Sequence, residues 1–264
     1  MIDRHESICG TVYLVGAGPG AVDLLTVRAL KLLEAAEIVF HDALVPREIL
    51  TLSSRAELVS VGKRCGRHTT AQRFINKRLV DAACRHRVVV RLKGGDPLLF
   101  GRAQEEIAAL EAAGIRYEVV PGVTAALAAA ASIGTSLSQR GGVRSVALAT
   151  PRVGSDENAS DWARGFAAAD AGAIYMGIGE APAIAAALLA KGKPPALPVA
   201  VVENASLPHE RIVYTSLARL ASITASDFSG PTLLLIGPQF TKRAAAQQSS
   251  DAASVVDAKT ARRA

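Results

Sequence analysis

Residues 88–102 read VVVRLKGGDPLLFGR. The β-branched run Val88-Val89-Val90, continued by Arg91-Leu92, predicts a strand, and Gly94-Gly95-Asp96-Pro97 ends it. Adjacent glycines at a strand's C-terminal end leave backbone groups open to a ligand, and Asp96 places one carboxylate beside them. Asp-Pro alone would mark only a turn. A second loop of the same kind argues for more. The apolar run Thr11–Val15 stops at Gly16-Ala17-Gly18-Pro19-Gly20, so two glycine-bearing loops fall on strand ends of one sheet, as a shared ligand site requires.

Working outward, strand-like and helix-like segments alternate. Ile38-Val39-Phe40 is a further strand, ending at His41-Asp42. Leu24, Leu25, Ala29, Leu32 and Leu33 recur at helical spacing behind Asp23, a candidate N-cap, and a helix is predicted over Ala103–Ala112. Tyr117–Val120 leads into Pro121-Gly122. This βαβα order favours a parallel sheet with right-handed crossovers. The second half is expected to repeat the theme, with strands at Val143–Ala149, Ala173–Met176, Val199–Val202 and Thr232–Ile236 and a helix over Ala181–Leu189. An alanine-rich helix between Gly122 and Gly134 is expected to bridge the halves, with a hinge near Pro121–Gly141. The organisation expected is therefore an N-terminal α/β domain over 1–122, a C-terminal α/β domain over 123–240, and a disordered tail over 241–264.

Composition narrows the function classes. The 264 residues are 50% hydrophobic and 20% charged, which excludes global disorder, collagen and coiled coil. The formal net charge is +6, suited to nucleic acid, anionic lipid or a polyanionic small molecule. Half of that surplus lies in Thr241–Ala264, which carries five basic and two acidic residues. With only 4% aromatic residues and no basic run interleaved with stacking side chains, a nucleic-acid module is disfavoured. Cys9, Cys65 and Cys84 contain no CxxC, so neither a disulfide framework nor a zinc knuckle is implied, and the five histidines form no metal-binding pair. No metal site is expected. The polar start MIDRHESIC and the absence of a long apolar run predict a cytoplasmic chain with no membrane segment. Thr11 already opens the first strand, so no further enzyme module is expected ahead of it.

Gly16-x-Gly18-x-x-Ala21 also satisfies a degenerate dinucleotide fingerprint, with Asp42 at the end of the second strand. That reading would make an NAD(P)-dependent oxidoreductase. Pro19-Gly20 opposes it, because it lies where a pyrophosphate-binding helix should begin.

The motifs VYLVGAGPG, LLTVRAL, VGKRCGRH, VVRLKGGDPLLFGRAQEE, VVPGVTAA, IYMG and PVAVVENAS follow in this order over residues 11–237. With them the chain resembles the uroporphyrinogen-III C-methyltransferases of the tetrapyrrole methylase superfamily. RLKGGDP and VGKR are the most discriminating segments. The resemblance implies two α/β domains of the tetrapyrrole methylase type with an active-site cleft between them, in a homodimer. It implies transfer of two methyl groups from S-adenosyl-L-methionine (SAM) to carbons 2 and 7 of uroporphyrinogen III. The products would be precorrin-2, for siroheme and cobalamin biosynthesis, and S-adenosyl-L-homocysteine. Methylation of another precorrin-type tetrapyrrole is the alternative. By motif match, SAM contacts fall on Pro19, Gly94, Gly95, Asp96, Leu99, Thr124, Ala125, Met176 and Ala205, and proton handling on Asp42 and Lys63.

These residue types suit the chemistry. A sulfonium methyl donor is already electrophilic, so the protein must position the two reactants, exclude water and move a proton. The substrate's eight carboxylates suit an arginine-rich site, for which Arg64, Arg91, Arg102 and Arg140 are candidates. Four features depart from the family pattern and bear on the substrate side. His41 precedes the aspartate in place of tyrosine, Gln139 replaces a histidine, ATPRVG (149–154) replaces VTGH, and Ala103-Gln104 replaces two glycines.

Overall fold

The computed structural model describes residues 9–62, 68–153 and 160–246, with backbone alone at 68–71. The chain divides into two compact units between Ala125 and Ala126. The first contains β1 (Thr11–Gly16), α1 (Val27–Ala35), β2 (Ile38–His41), α2 (Arg47–Leu50), β3 (Glu57–Ser60), α3 (His68–Ala83), β4 (Val88–Lys93), α4 (Ala103–Ala112) and β5 (Arg116–Val120). Its five strands run parallel in the order β3-β2-β4-β1-β5. A parallel sheet is covered on both faces, which is why its central strands β1, β2 and β4 are largely apolar runs. Val12, Leu14, Val39, Val89, Val90 and Leu92 are all fully buried. Ile75, Leu79, Ile107 and Leu110 of α3 and α4 cover one face. Ala29, Leu33 and Ile49 of α1 and α2 cover the other.

Parallel pairing brings every strand's C-terminal end to one edge. β1 lies beside β4 with Gly16 opposite Lys93, so the two glycine loops become neighbours. The chain leaves β1 towards β2 and leaves β4 towards β5, on opposite sides. Such a reversal of strand order opens the crevice that ligands use in this class of sheet. One local expectation fails here. α1 is capped not by Asp23 but by Thr26, whose side chain accepts the Ala29 N–H at 3.1 Å. Asp23 instead sits in a single 3-10 turn over Val22–Leu24, because the loop behind Pro19-Gly20 runs three residues longer before it turns helical.

The second unit takes up α5 (Ala125–Ile133) and contains β6 (Val146–Ala149), α6 (Trp162–Ala168), β7 (Ala171–Tyr175), α7 (Ala181–Ala190), β8 (Pro198–Glu203), β9 (Arg211–Ser216), α8 (Leu217–Leu220) and β10 (Thr232–Ile236). α5 is the small-residue helix anticipated after Gly122, with Ala126, Ala128, Ala129, Ala130 and Ile133 buried. The sheet order is β6-β7-β10-β8-β9. Only β6 and β7 pair in parallel, and the other three pairings are antiparallel. The second half therefore does not repeat the first. β8 and β9 are joined by residues 204–210 with no helix between them, and so short a connection joins antiparallel strands only. β9 escapes an apolar-run search because RIVYTS is half-buried throughout. β6 is shorter than expected, and Val143 instead bridges Gln139. Phe166, Ile184, Leu188, Val199, Val201 and Leu234 form this unit's core.

Residues 241–246 are helical, with Ala244 nearly buried, whereas a disordered tail was expected from 241 onward. No helix among the described residues is long and apolar enough to cross a membrane.

Glu203, at the end of β8, closes the second unit's sheet electrostatically. Its Oε1 accepts the Ser229 and Gly230 N–H groups at 2.6 and 2.7 Å, and Arg211 Nε lies 3.2 Å from Oε2. The Gly230 N–H foremost, with the Ser229 N–H and the Arg211 charge, holds its pKa below the ordinary carboxylate value, against the effect of burial. A carboxylate depressed in the folded state stabilises fully above its unfolded pKa and loses that contribution as pH falls through the lower, folded value. Glu203→Gln should therefore flatten the acid limb of the second unit's stability below about pH 4.5. Urea midpoints of both proteins from pH 3 to 7 give the comparison; parallel acid limbs would contradict it.

Candidate active site

At the C-terminal edge of the parallel sheet three loops fit together through absent side chains. Gly18 and Gly95 exchange backbone hydrogen bonds, Gly95 N–H to Gly18 O at 2.7 Å and Gly18 N–H to Gly95 O at 3.2 Å. A Cβ on Gly16 would stand 2.6 Å from Gly122 Cα and 2.7 Å from Gly95 O. One on Gly122 would stand 2.3 Å from Gly95 O. All three distances lie inside van der Waals contact, so only glycine permits this approach. Asp96 ties the arrangement together: Oδ1 accepts the Leu98 N–H at 2.9 Å and Oδ2 the Gly122 N–H at 3.0 Å. Gly95 differs from its neighbours. Its φ is +67°, and a Cβ there would meet nothing within 4 Å. Its outer face is open space bounded by backbone, the kind of cradle a ligand can approach closely.

Beside these loops lies a cluster of charges. Arg91 and Lys93, two residues apart, project from the same face of β4. Both are buried, at 3% and 2% exposed. The first turn of α4 answers them with Glu106, which is wholly buried. Arg91 Nε and Lys93 Nζ each lie 2.9 Å from a different oxygen of Glu106. Gln72 Nε2 of α3 adds a longer contact of 3.4 Å. Arg91 continues to Asp42, donating from Nη2 to Oδ1 at 2.5 Å. Asp42 is the member that reaches solvent, with its side chain 29% exposed. Two cations and two carboxylates balance, which allows such a group to stay ionised inside a sheet. Burial opposes the Arg91 charge, but Asp42 and then Glu106 overcome it and leave its pKa above the ordinary value. Burial, then the Arg91 charge, push the Lys93 ammonium below the ordinary lysine value. Gly101 covers this lysine, since a Cβ there would come within 3.2 Å of Lys93 Cε.

The structure thus brings together Gly94, Gly95 and Asp96, with half-buried Pro19 and Leu99 in the same two loops. Asp42 stands at the adjoining strand end, its N–H bonded to Leu92 O at 3.2 Å. Thr124 and Ala125 follow the Gly122 loop at the start of α5. Met176 and Ala205 belong to the second unit, just beyond β7 and β8. Met176 is exposed with φ 55°, and Ala205 is buried behind Asn204, whose φ is 54°. Lys63 and Arg64 lie outside the described residues. Arg91 is not a substrate-facing arginine as expected, because it is buried and its Nε, Nη1 and Nη2 all donate inside the protein, Nη1 to the Phe40 and Leu92 carbonyls. Arg102 makes a two-pronged contact with Glu105 at 2.6 and 2.8 Å, and Arg140 is exposed. Glu106 and Lys93 were missed. The available signal was a pair of cations at i and i+2 in a strand otherwise apolar on both faces, which demands a buried anion nearby.

A parallel-sheet edge with interlocking glycine loops and a partly solvated carboxylate, Asp42, beside them is the arrangement in which α/β enzymes bind small molecules. The sequence pattern described as Tetrapyrrole (Corrin/Porphyrin) Methylases matches residues 11–221, and the chain belongs to that family. Among curated proteins it is 43% identical over 230 residues to a siroheme synthase of Psychrobacter sp., covering 86% of this chain and 47% of that one. It is 42% identical over 237 residues to siroheme synthase 1 of Klebsiella pneumoniae, covering 89% and 50%. The chain spans about half the length of these relatives. Among solved structures it is similar to the uroporphyrin III C-methyltransferase of Thermus thermophilus, with TM-score 0.76, 38% identity and coverage of 87% and 92%. The same Thermus enzyme, solved with S-adenosyl homocysteine, superposes with TM-score 0.75. A cobalt precorrin-4 methyltransferase gives TM-score 0.74 at 27% identity.

Proposed function

We propose that this chain is a SAM-dependent C-methyltransferase that converts uroporphyrinogen III to precorrin-2 by methylation at two ring carbons. The observation that carries the reading is a sheet edge that bears both the open face of Gly95 and, at the end of the neighbouring strand, Asp42 held by a buried Arg91. The likeness to the Thermus enzyme, which extends over 92% of that chain, supports the substrate. Bound here, SAM would supply an electrophilic sulfonium methyl to an electron-rich pyrrole carbon, the sulfur leaving as a thioether with the bond pair.

The chain's own residues do the rest. The exposed backbone of Gly94-Gly95 forms the surface against which the donor packs. Asp96 fixes that surface through its bonds to Leu98 and Gly122. Asp42 accepts the proton that the methylated macrocycle must lose. Arg91 holds the Asp42 carboxylate in one orientation, and Glu106 and Lys93 hold Arg91. Anaerobic incubation with SAM and uroporphyrinogen III, followed by absorbance, tests the reading. The precorrin-2 chromophore, or that of sirohydrochlorin after oxidation, is expected. Turnover of another precorrin with none of uroporphyrinogen III would transfer the site to that substrate. Stabilisation by NADH but not by S-adenosylhomocysteine would remove the methyltransferase reading altogether.

Gly95→Leu separates the cradle from the rest of the fold. The added side chain meets open space, so the core is untouched, but a φ of +67° strains any L-residue by about 1–2 kcal/mol. The protein should fold with a slightly lower midpoint and bind S-adenosylhomocysteine at least about 10-fold more weakly, roughly 1.4 kcal/mol. Calorimetric titration showing unchanged affinity would take the Gly94-Gly95 loop out of the site.

A further inference from the structure

The cysteine spacing implies no disulfide framework, yet two of the cysteines meet. Cys9 precedes β1 and Cys84 follows α3, and their Sγ atoms are 3.7 Å apart. Backbone packing imposes the meeting. Gly10 N–H donates to Ala83 O at 2.7 Å and Thr11 N–H to Arg87 O at 2.9 Å, so residues 9–11 run along the turn that ends α3. Gly10 makes the approach possible, since a Cβ there would stand 1.9 Å from His86 O. Cys9 and Cys84 thus flank one short backbone hydrogen bond with their side chains on the same side. Cys84 is exposed and Cys9 half-buried, so an oxidant in solution reaches the pair.

We propose that Cys9 and Cys84 are a redox-modification site, a dithiol that a low-molecular-weight disulfide such as oxidised glutathione converts to an intramolecular disulfide. Disulfide bonding requires the sulfurs to close by about 1.7 Å more, within the reach of χ1 rotation when the backbones are already pinned. The exchange balances. One cysteine thiolate attacks a sulfur of the oxidant, forming a mixed disulfide and releasing one glutathione thiolate. The other cysteine then attacks the protein-bound sulfur and releases the second. The two thiol protons pass to the glutathione thiolates, and two electrons move from the protein dithiol to the oxidant. The Cys84 thiol is held above its ordinary value, first by the hydrogen bond shared with Cys9, then by burial and the Cys9 and Asp81 charges, against Arg85. Alkaline buffer therefore favours the reaction.

The bond would enclose residues 9–84, from β1 through α3, and lies at the end of the sheet opposite the glycine loops. The loop removed from the unfolded chain is long, so stability should respond. The full chain is equilibrated with reduced or oxidised glutathione at pH 8.5, quenched with a thiol-blocking reagent, and mapped by mass spectrometry without reduction. The expected result is one linked peptide pair, Cys9 with Cys84, two hydrogens lighter than the reduced peptides. The melting temperature should rise by about 5 °C or more and return on adding dithiothreitol. Cys9→Ser and Cys84→Ser should each abolish the link and the rise, and Cys65→Ser should keep both. Stable glutathione adducts on Cys9 and Cys84, a link through Cys65, or thiols that stay free in oxidised glutathione would each overturn the proposal.

Discussion

Glu106→Ala should cost the first unit about 3–5 kcal/mol, the loss seen when one partner of a buried ionic group is deleted. The magnitude follows from the position. Glu106 is wholly buried and satisfies both Arg91 and Lys93, so its removal strands two buried cations with only Asp42 left to balance them. Glu106→Gln keeps the shape and one acceptor but not the charge, and should fall between the parent and Ala. Denaturant titration of the three proteins checks the ranking; an unchanged midpoint for Ala would mean the cluster is not the electrostatic keystone its geometry describes. The same substitution should slow methylation in protein that still folds, because Arg91, released from Glu106, no longer fixes the Asp42 carboxylate in one orientation.

Asp42→Asn should lower the methylation rate about 10²–10⁴-fold, the usual worth of a positioned general base, with S-adenosylhomocysteine affinity within about twofold of the parent. The two outcomes separate because Asp42 borders the glycine loops without belonging to them. Its contacts run to Arg91 and to the backbone of Leu92. A structural role would show first in stability, and that cost should be small, since the carboxylate is partly solvated and Arg91 retains Glu106. Parent-like turnover in this variant would withdraw the proton-acceptor role from Asp42.

Much of the first unit was legible in the sequence. Its central strands β1, β2 and β4 are buried on both faces and so appear as apolar runs, whereas the exposed edge strand β3, with sequence ELVS, gives no such signal. α4 falls on Ala103–Ala112, where a helix is expected after the Gly94-Gly95 loop. The second unit was less legible for the same physical reason. β9 is half-buried, so its apolar signal is diluted, and antiparallel pairing leaves no crossover pattern to detect. Among the site residues, Gly94, Gly95 and Asp96 announced themselves through composition. The sequence also places the Gly16 loop on the same sheet, but not its close fit with Gly95 and Gly122, because that depends on β1 lying between β4 and β5. Glu106 stayed hidden because glutamate in a helix's first turn is ordinary. Only the burial of Arg91 and Lys93 gives it a purpose.

The fitting of Gly16, Gly95 and Gly122 sets terms for anyone wishing to redesign this enzyme. Three segments far apart in the chain behave as one part, so a side chain placed at Gly16 or Gly122 should jam against the neighbouring loops. Freedom to retune ligand preference lies instead in side chains that ride on this frame without shaping it. Leu98, at 64% exposed, and Leu44, at 62%, are the places where a library can vary while the frame stays whole.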